Sequence, residues 1–161
     1  MTAAPIHPGP HWYCDSASWN FIAFRYVPLL GAFSLLWEIA QLPLYTLWEE
    51  GAPSFIAYAV IHCTLGDVAI GTLALLVALI AARAGTVATW KWRRVALFLV
   101  IPAVVYTALS EWINTIARGS WAYSSLMPVV AFGGLTIGLS PLAQWIVIPP
   151  VALWLASHEP L

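Results

Sequence analysis

Charged side chains are scarce in this sequence: six Lys or Arg and seven Asp or Glu make up 8% of its 161 residues. A soluble domain carries about 25% charged residues, so this chain has too few to cover a water-facing surface. The formal net charge of −1 gives no reason to expect a nucleic-acid partner or an acidic one. The main partner we expect is the lipid bilayer, which acts as solvent for most of the chain.

Cysteine is also scarce, and the two residues lie far apart. Cys14 belongs to a polar N-terminal segment and Cys63 to an apolar run, so we predict no disulfide between them. The first twenty residues contain no Lys or Arg and no short apolar core, which does not fit a secretory signal. The first apolar run is therefore expected to remain as a membrane helix.

Long hydrophobic runs are abundant, and 61% of the residues are hydrophobic. Crossing a bilayer takes about 20 helical residues, and four runs are long enough: 21–48, 55–82, 95–113 and 135–156. The prolines in the first and last runs predict kinks rather than breaks. Residues 121–134 are apolar but short, so we expect a loop packed on the outer face or a re-entrant piece. The sequence thus predicts an all-α integral membrane protein, a single polytopic four-helix bundle over residues 1–161.

The basic residues indicate an orientation. One lies at the start of the first run, one follows the third run, and four lie between the second and third runs: Arg25, Arg118, and the group Arg83, Lys91, Arg93 and Arg94. The positive-inside rule then predicts that both termini and the loop between the second and third runs are cytoplasmic. We expect the protein in the cytoplasmic (inner) membrane, with residues 118–125 facing outward.

Polar residues recur at helical spacing in all four runs. In the third run and the residues that follow it, the intervals of four, three and four residues predict one helix face: Thr107, Glu111, Asn114 and Arg118, the last three within "LSEWINTIARGSWAY". The first and fourth runs carry similar stripes: Ser34, Glu38, Gln41, Tyr45 and Trp48, and Thr136, Ser140 and Gln144. The second run has a face of small residues with one acid, which favours close helix packing: Cys63, Asp67, Gly71, Ala74 and Ala78.

The depths of these groups predict a shared pocket. At 1.5 Å per residue, Glu38, His62 and Glu111 lie roughly 10–15 Å from the outer interface, with Asp67 slightly deeper. A carboxylate that faces lipid costs about 2.5–3.5 kcal/mol on insertion scales, so the acids should face one another. The candidate catalytic residues are Glu38, Asp67 and Glu111. The candidate ligand-binding residues are Gln41, His62, Asn114, Arg118, Trp121, Tyr123 and Gln144.

The leading hypothesis is that this pocket binds a small lipophilic molecule, isoprenoid- or sterol-like, or converts it by acid–base chemistry. A carboxyl group surrounded by hydrocarbon favours its protonated form and is able to protonate a double bond. Nearby aromatic rings would stabilise the resulting carbocation: Trp37, Trp112, Trp121 and Tyr123. The pattern indicates no particular cofactor.

Three alternatives remain open. His62 with the three acids is a candidate metal site, although no Glu-x-x-His or His-x-x-x-His pair occurs in any run. The N-terminal His7, His11, Cys14 and Asp15 are a second candidate metal site, or a Pro- and Gly-rich arm with incidental histidines. The chain also fits a non-catalytic accessory or assembly subunit of a larger membrane complex or homo-oligomer, in which the polar groups hold helices together. Proton or ion transport is disfavoured because the inner half lacks matching ionisable groups.

Overall fold

Four helices of this chain are long and apolar enough to cross a membrane. The structure is a computed structural model that describes residues 11–158, with the backbone alone at Phe132 and Leu135. The four helices are α1 (Ser16–Leu44), α2 (Pro53–Ala81), α3 (Trp92–Ala117) and α4 (Leu139–His158). The chain is mostly helical, as expected for an all-α membrane bundle. The first three helices match the predicted runs to within five residues at each end.

The first helix is continuous although it contains two prolines. Asp15 caps its start, where the carboxylate accepts hydrogen bonds from the backbone N–H (3.1 Å) and hydroxyl (2.7 Å) of Ser18. A π-helical turn spans Ile22–Tyr26, immediately before Pro28. Because proline lacks an N–H and its ring crowds the carbonyl four residues earlier, a widened turn relieves the strain. The helix ends in a 3-10 turn, Leu42–Leu44.

The helices pack as a closed ring in chain order, and α4 returns to contact α1. The small-residue face of α2 points inward as predicted, since Gly71, Ala74 and Ala78 are buried. A Cβ at Gly71 would lie only 2.7 Å from Cδ2 of Leu30 on α1. The Tyr26 hydroxyl donates a hydrogen bond to the Gly71 carbonyl at 3.3 Å. Small side chains on α2 therefore allow α1 to approach closely.

One end of the bundle holds the apolar core and the other holds the polar side chains. The largest fully buried aliphatic residues lie toward the loop 82–91: Leu30, Leu75, Leu79, Val95, Leu99 and Leu153. We call this end of the bundle the basic-loop end. The buried polar residues Gln41, Glu111 and Gln144 lie toward the opposite end, which we call the hairpin end.

A β-hairpin precedes α4, and the sequence analysis missed it. Strand β1 (Val129–Phe132) pairs antiparallel with β2 (Leu135–Gly138). Gly133 and Gly134 form the turn with φ of +55° and +83°, values that glycine adopts without strain. The loop or re-entrant piece expected at 121–134 is thus partly a strand. The fourth span begins at Leu139 rather than at residue 135, because residues Leu135–Gly138 are extended and paired as β2.

The segment before the hairpin is attached to the end of α1. The N–H of Thr46 donates to the carbonyl of Ala122 at 3.0 Å, and the N–H of Ser124 donates to the carbonyl of Leu44 at 2.9 Å. The hairpin itself packs against the end of α3. The connection between α3 and α4 therefore closes the hairpin end of the bundle.

Candidate functional site

Three acidic side chains from three different helices meet near the hairpin end. Glu38 comes from α1, Asp67 from α2 and Glu111 from α3, and we call them the carboxyl cluster. The Glu38 carboxyl group lies within hydrogen-bonding reach of Asp67 and within Coulombic range of Glu111. No Lys or Arg is among the described residues that interact with these carboxyl groups. The cluster therefore concentrates acid without a neutralising cation.

Two buried amides and a hydroxyl hold the first two acids. Gln41 Nε2 donates to Glu38 Oε1 at 2.8 Å, and Ser140 Oγ donates to Gln41 Oε1 at 2.9 Å. On the other side, Gln144 Nε2 donates to Asp67 Oδ2 at 2.6 Å. These bonds link α1, α2 and α4 across the centre of the bundle.

The two amides are more deeply buried than the two acids to which they donate hydrogen bonds. Gln41 and Gln144 are only 6% and 3% exposed, whereas Glu38 and Asp67 are half-buried. The amides are therefore the more deeply buried part of this network, and Glu38 and Asp67 are its partly exposed members.

The proximity of Glu38 and Asp67 has a direct chemical consequence. Each lies within hydrogen-bonding reach of the other. Two carboxylates offer only acceptors, so a hydrogen bond between them requires a proton on one of the two. The pair is thus able to hold a shared, exchangeable proton within a bundle of helices long and apolar enough to cross a membrane.

Glu111 has a different environment, supplied by the segment before the hairpin. It is 6% exposed, and the Tyr123 hydroxyl donates to its Oε2 at 2.5 Å. Burial, with Glu111 next in effect, raises the pKa of Tyr123 above its ordinary value, so the phenol stays protonated as a donor. The Trp121 indole N–H is buried beside the same carboxyl group but has no partner in hydrogen-bond geometry. One donor, the Tyr123 hydroxyl, therefore bonds to the Glu111 carboxyl group, and a second, the Trp121 indole, lies beside it.

Two further side chains, which the sequence analysis had not assigned to the site, lie near the acids. Cys63 on α2 lies within Coulombic range of all three acids. Tyr45 lies near Glu38 and Glu111, and its ring is 5.7 Å from that of Tyr123. Burial raises the pKa of Tyr45, so it too remains a neutral phenol. Both residues were on the predicted polar or small-residue stripes, and that spacing is the signal that could have assigned them to the site.

His62 stands apart from the cluster. Its side chain is exposed and stacks on Tyr58, with ring centroids 5.5 Å apart. The depth of His62 matched the acids, but it lies one residue from Cys63 and therefore about 100° around the helix. Within residues 11–158 no group of three His, Cys, Asp or Glu side chains is arranged to hold a metal ion. His7, part of the second candidate metal site, lies outside the described residues.

Asn114 and Arg118 also turn away from the carboxyl groups. The Asn114 amide donates to the Ser110 carbonyl at 2.9 Å, and Arg118 is exposed. The third helix widens into a π-helical turn over Ile113–Ala117. A π-turn uses an extra residue, so side chains beyond it leave the face defined by Thr107 and Glu111. Thr136 lies on β2 and is exposed rather than continuing the stripe of α4.

No protein-family model matches the chain, and neither curated proteins nor solved structures show significant similarity to it. The chemistry of the site therefore has to be inferred from its own residues. Those residues supply an acid pair, a separate buried carboxyl group with a phenol donor, and several aromatic rings.

Proposed function

We propose that this protein binds a small lipophilic molecule, of isoprenoid or sterol type, at the carboxyl cluster and exchanges a proton with it. The observation that carries the proposal is the contact between the half-buried Glu38 and Asp67 carboxyl groups, supported from behind by the buried Gln41 and Gln144. No cation neutralises this acid pair, and the pair lies between helices that would cross the membrane. It is therefore suited to donate a proton to, and accept a proton from, a ligand that arrives through lipid.

An apolar groove on the surface of the bundle, which none of the three acids lines, supports a lipophilic ligand. It lies between α1 and α4 and has a volume of about 330 Å³. Its lining includes Trp37 and Ala40, which adjoin Glu38 and Gln41 in sequence, and Val147 and Ile148, about one turn beyond Gln144. A molecule lying in this groove would place one end near the acid pair and leave its apolar length among aliphatic side chains. Lateral access from the bilayer requires no water-filled channel.

The proposed chemistry balances without a redox cofactor. The protonated member of the Glu38–Asp67 pair gives its proton to one carbon of a double bond, whose electron pair forms the new C–H bond. The adjacent carbon becomes cationic, and the carboxylate left behind removes a proton from a neighbouring carbon. The double bond has then moved and the pair has regained its proton. Glu38 and Asp67 thus act as general acid and general base.

The surroundings of Glu111 suit the positive charge that would develop on the ligand. Glu111 accepts the Tyr123 hydrogen bond and is set apart from the acid pair. In its carboxylate form it would attract a cationic intermediate, as would the faces of Tyr45 and Trp121. Two carboxyl environments within one cluster, one sharing a proton and one bonded to a phenol donor, are typical of acid–base sites.

Native mass spectrometry of the protein in mild detergent, with metal analysis of the same sample, tests the proposal. The variants are Glu38→Gln and Asp67→Asn, which keep side-chain size and remove the acid. Glu49→Gln is the matched control, because Glu49 is exposed in the connection between α1 and α2. We expect the wild type and the control to carry a lipophilic mass that both cluster variants lose or hold weakly. Equal retention by all four proteins, a stoichiometric metal, or an empty protein that arrives with a larger partner would contradict the proposal.

We also propose that the basic-loop end and both chain termini face the cytoplasm. This orientation places the carboxyl cluster in the outer half of the membrane. It depends on four of the six basic residues lying at this end of the bundle, two in the connection between α2 and α3 and two in the first turn of α3.

A further inference from the structure

A second pocket lies at the basic-loop end, far from the carboxyl cluster. It has a volume of about 280 Å³ and is formed by the connection between α2 and α3. Three cationic side chains line it, Arg83, Lys91 and Arg94, and all three are exposed. No acidic residue is among the described residues that line this pocket. We call it the basic pocket.

Arg83 occupies a backbone position where glycine would be favoured. Its φ is +51°, and it is the one non-glycine residue with positive φ in residues 11–158. The N–H of Arg83 donates to the Ile80 carbonyl at 3.0 Å, and the N–H of Ala84 donates to the Leu79 carbonyl at 2.9 Å. This pair of bonds is the Schellman motif, which ends helices with a left-handed residue that is usually glycine. An arginine kept there at a steric cost indicates that its side chain has a use.

The loop that carries the pocket is held in place by its own hydrogen bonds. The N–H of Val87 donates to Ser18 Oγ at 3.0 Å and to Asp15 Oδ2 at 3.4 Å, which ties the loop to the start of α1. The Trp90 indole donates to the Gly85 carbonyl at 3.0 Å. Asp15 does not line the pocket. The three cations are therefore presented by a fixed backbone.

The start of α3 adds to the positive potential of the pocket. Lys91 occupies the N-cap position without a capping side chain, and the first turn contains no acidic residue. The helix dipole is positive at the N-terminus. Cations there are therefore unfavourable on their own, and a bound anion is stabilised. The Arg94 guanidinium also lies over the Phe98 ring at 5.5 Å, which fixes it at the rim.

We propose that the basic pocket binds the phosphate group of an anionic phospholipid. Three cations around one concave space suit a phosphate, which accepts several charge-assisted hydrogen bonds. The lipid source follows from position, because the pocket lies where two membrane-spanning helices begin and end, at the depth of the head groups. The proposal does not depend on the function proposed for the carboxyl cluster.

The test is a lipid titration of the detergent-purified protein, followed by native mass spectrometry. Phosphatidylglycerol and phosphatidylcholine with the same acyl chains are compared, and inorganic phosphate is added as a competitor. The variants are Arg83→Gly and Arg94→Gln. Arg93→Gln is the matched control, because Arg93 is equally exposed on the same turn but does not line the pocket. Arg83→Gly is chosen because glycine fits the left-handed position, so this variant should fold.

We expect tighter binding of phosphatidylglycerol than of phosphatidylcholine. Each pocket variant should weaken phosphatidylglycerol binding roughly fivefold, the effect of one cation near a membrane surface. Arg93→Gln should weaken binding less. Arg83→Gly should also raise the unfolding temperature while it lowers lipid affinity, a combination that a purely structural role for Arg83 does not produce.

Three results would overturn the proposal. Equal weakening by Arg93→Gln would mean a diffuse basic surface instead of a pocket. Equal binding of the two lipids would mean that net negative charge is not recognised. Tighter binding of inorganic phosphate than of phosphatidylglycerol would assign the pocket to a free phosphate rather than to a phospholipid.

Discussion

The Tyr123 hydroxyl donates a 2.5 Å hydrogen bond to Glu111 and accepts one from the backbone N–H of Gly138 at 3.0 Å. One side chain therefore joins α3, the segment before the hairpin and the second strand. Glu111 is the only member of the carboxyl cluster that this segment holds through a side-chain hydrogen bond among the described residues. The closure of the hairpin end over the site depends on this phenol.

Replacing Tyr123 with Phe should therefore loosen the hairpin end. The substitution removes a hydrogen bond to an acidic group and leaves the buried Glu111 carboxyl group without this donor, which costs about 1.5–3 kcal/mol. Unfolding in mild detergent measures the loss, and limited proteolysis should show faster cleavage within residues 119–136. Tyr106→Phe is the control, since Tyr106 is 52% exposed on α3, the helix that carries Glu111. Equal stability of the two variants would mean that the phenol does not hold the segment.

The close packing of α1 on α2 predicts opposite effects on stability when two glycines of α2 are replaced by alanine. Gly71→Ala places a Cβ 2.7 Å from Leu30 Cδ2, and such overpacking costs about 1–3 kcal/mol. At Gly66 a Cβ meets no atom within 4 Å, so Gly66→Ala should gain about 0.5–1 kcal/mol from reduced backbone freedom. The free energies of unfolding of the two variants should differ in sign. Similar effects at both positions would contradict the close approach of the helices.

The cap of α1 should respond to pH. The hydrogen bond from the Ser18 hydroxyl lowers the pKa of Asp15 below its ordinary value of 3.8, aided by the backbone N–H groups of Ser18 and Val87. Because the folded-state pKa is depressed, the stabilisation is fully present above pH 3.8 and is lost as the pH falls through the folded-state pKa. Asp15→Ala should thus lower the unfolding temperature at pH 7, and the gap to the wild type should narrow as the pH falls below 3.8. A gap that is constant with pH would show that the carboxylate charge plays no part.

The proposed orientation makes a labelling prediction. Cys14 is exposed near the start of α1 and Cys63 is half-buried within α2. A membrane-impermeant maleimide should label Cys14 in a Cys63→Ser variant only after the cells are permeabilised. A cysteine introduced at the exposed Ser120, with Cys14 and Cys63 replaced by serine, should be labelled in intact cells. The opposite pattern would reverse the orientation and place the basic pocket outside.

The spans could be predicted from the sequence because their hydrophobic runs are long and the small residues of α2 recur at helical spacing. The acids could be predicted as a group because three carboxyl groups facing lipid would be costly. The hairpin was missed although its signal was present: Gly133–Gly134 between two apolar runs is a turn sequence. The hydrophobicity of those runs indicated a membrane segment more strongly than a strand.

Side-chain direction was the harder part to predict. His62 was grouped with the acids by depth, and depth does not specify the face of a helix. Asn114 and Arg118 were grouped by ideal spacing, which the π-turn at Ile113–Ala117 changes. Tyr45 and Cys63 were on predicted stripes, but their approach to the acids depends on how the loops close and how α2 rotates against α1. Such tertiary relationships leave no periodic signal in a single sequence.

The most direct test of the central claim is deuterium transfer from D2O to the carbon skeleton of the bound lipophilic molecule. The wild-type protein is incubated in D2O with the molecule it retains, which is then extracted into ordinary water to remove deuterium from any O–H groups. The account predicts carbon-bound deuterium with the wild type and with Glu49→Gln. It predicts a rate at least about 100-fold lower with Glu38→Gln or Asp67→Asn, as expected for loss of a general acid or base. A bound molecule that gains no more carbon-bound deuterium with the wild type than without protein would contradict proton exchange at the acid pair.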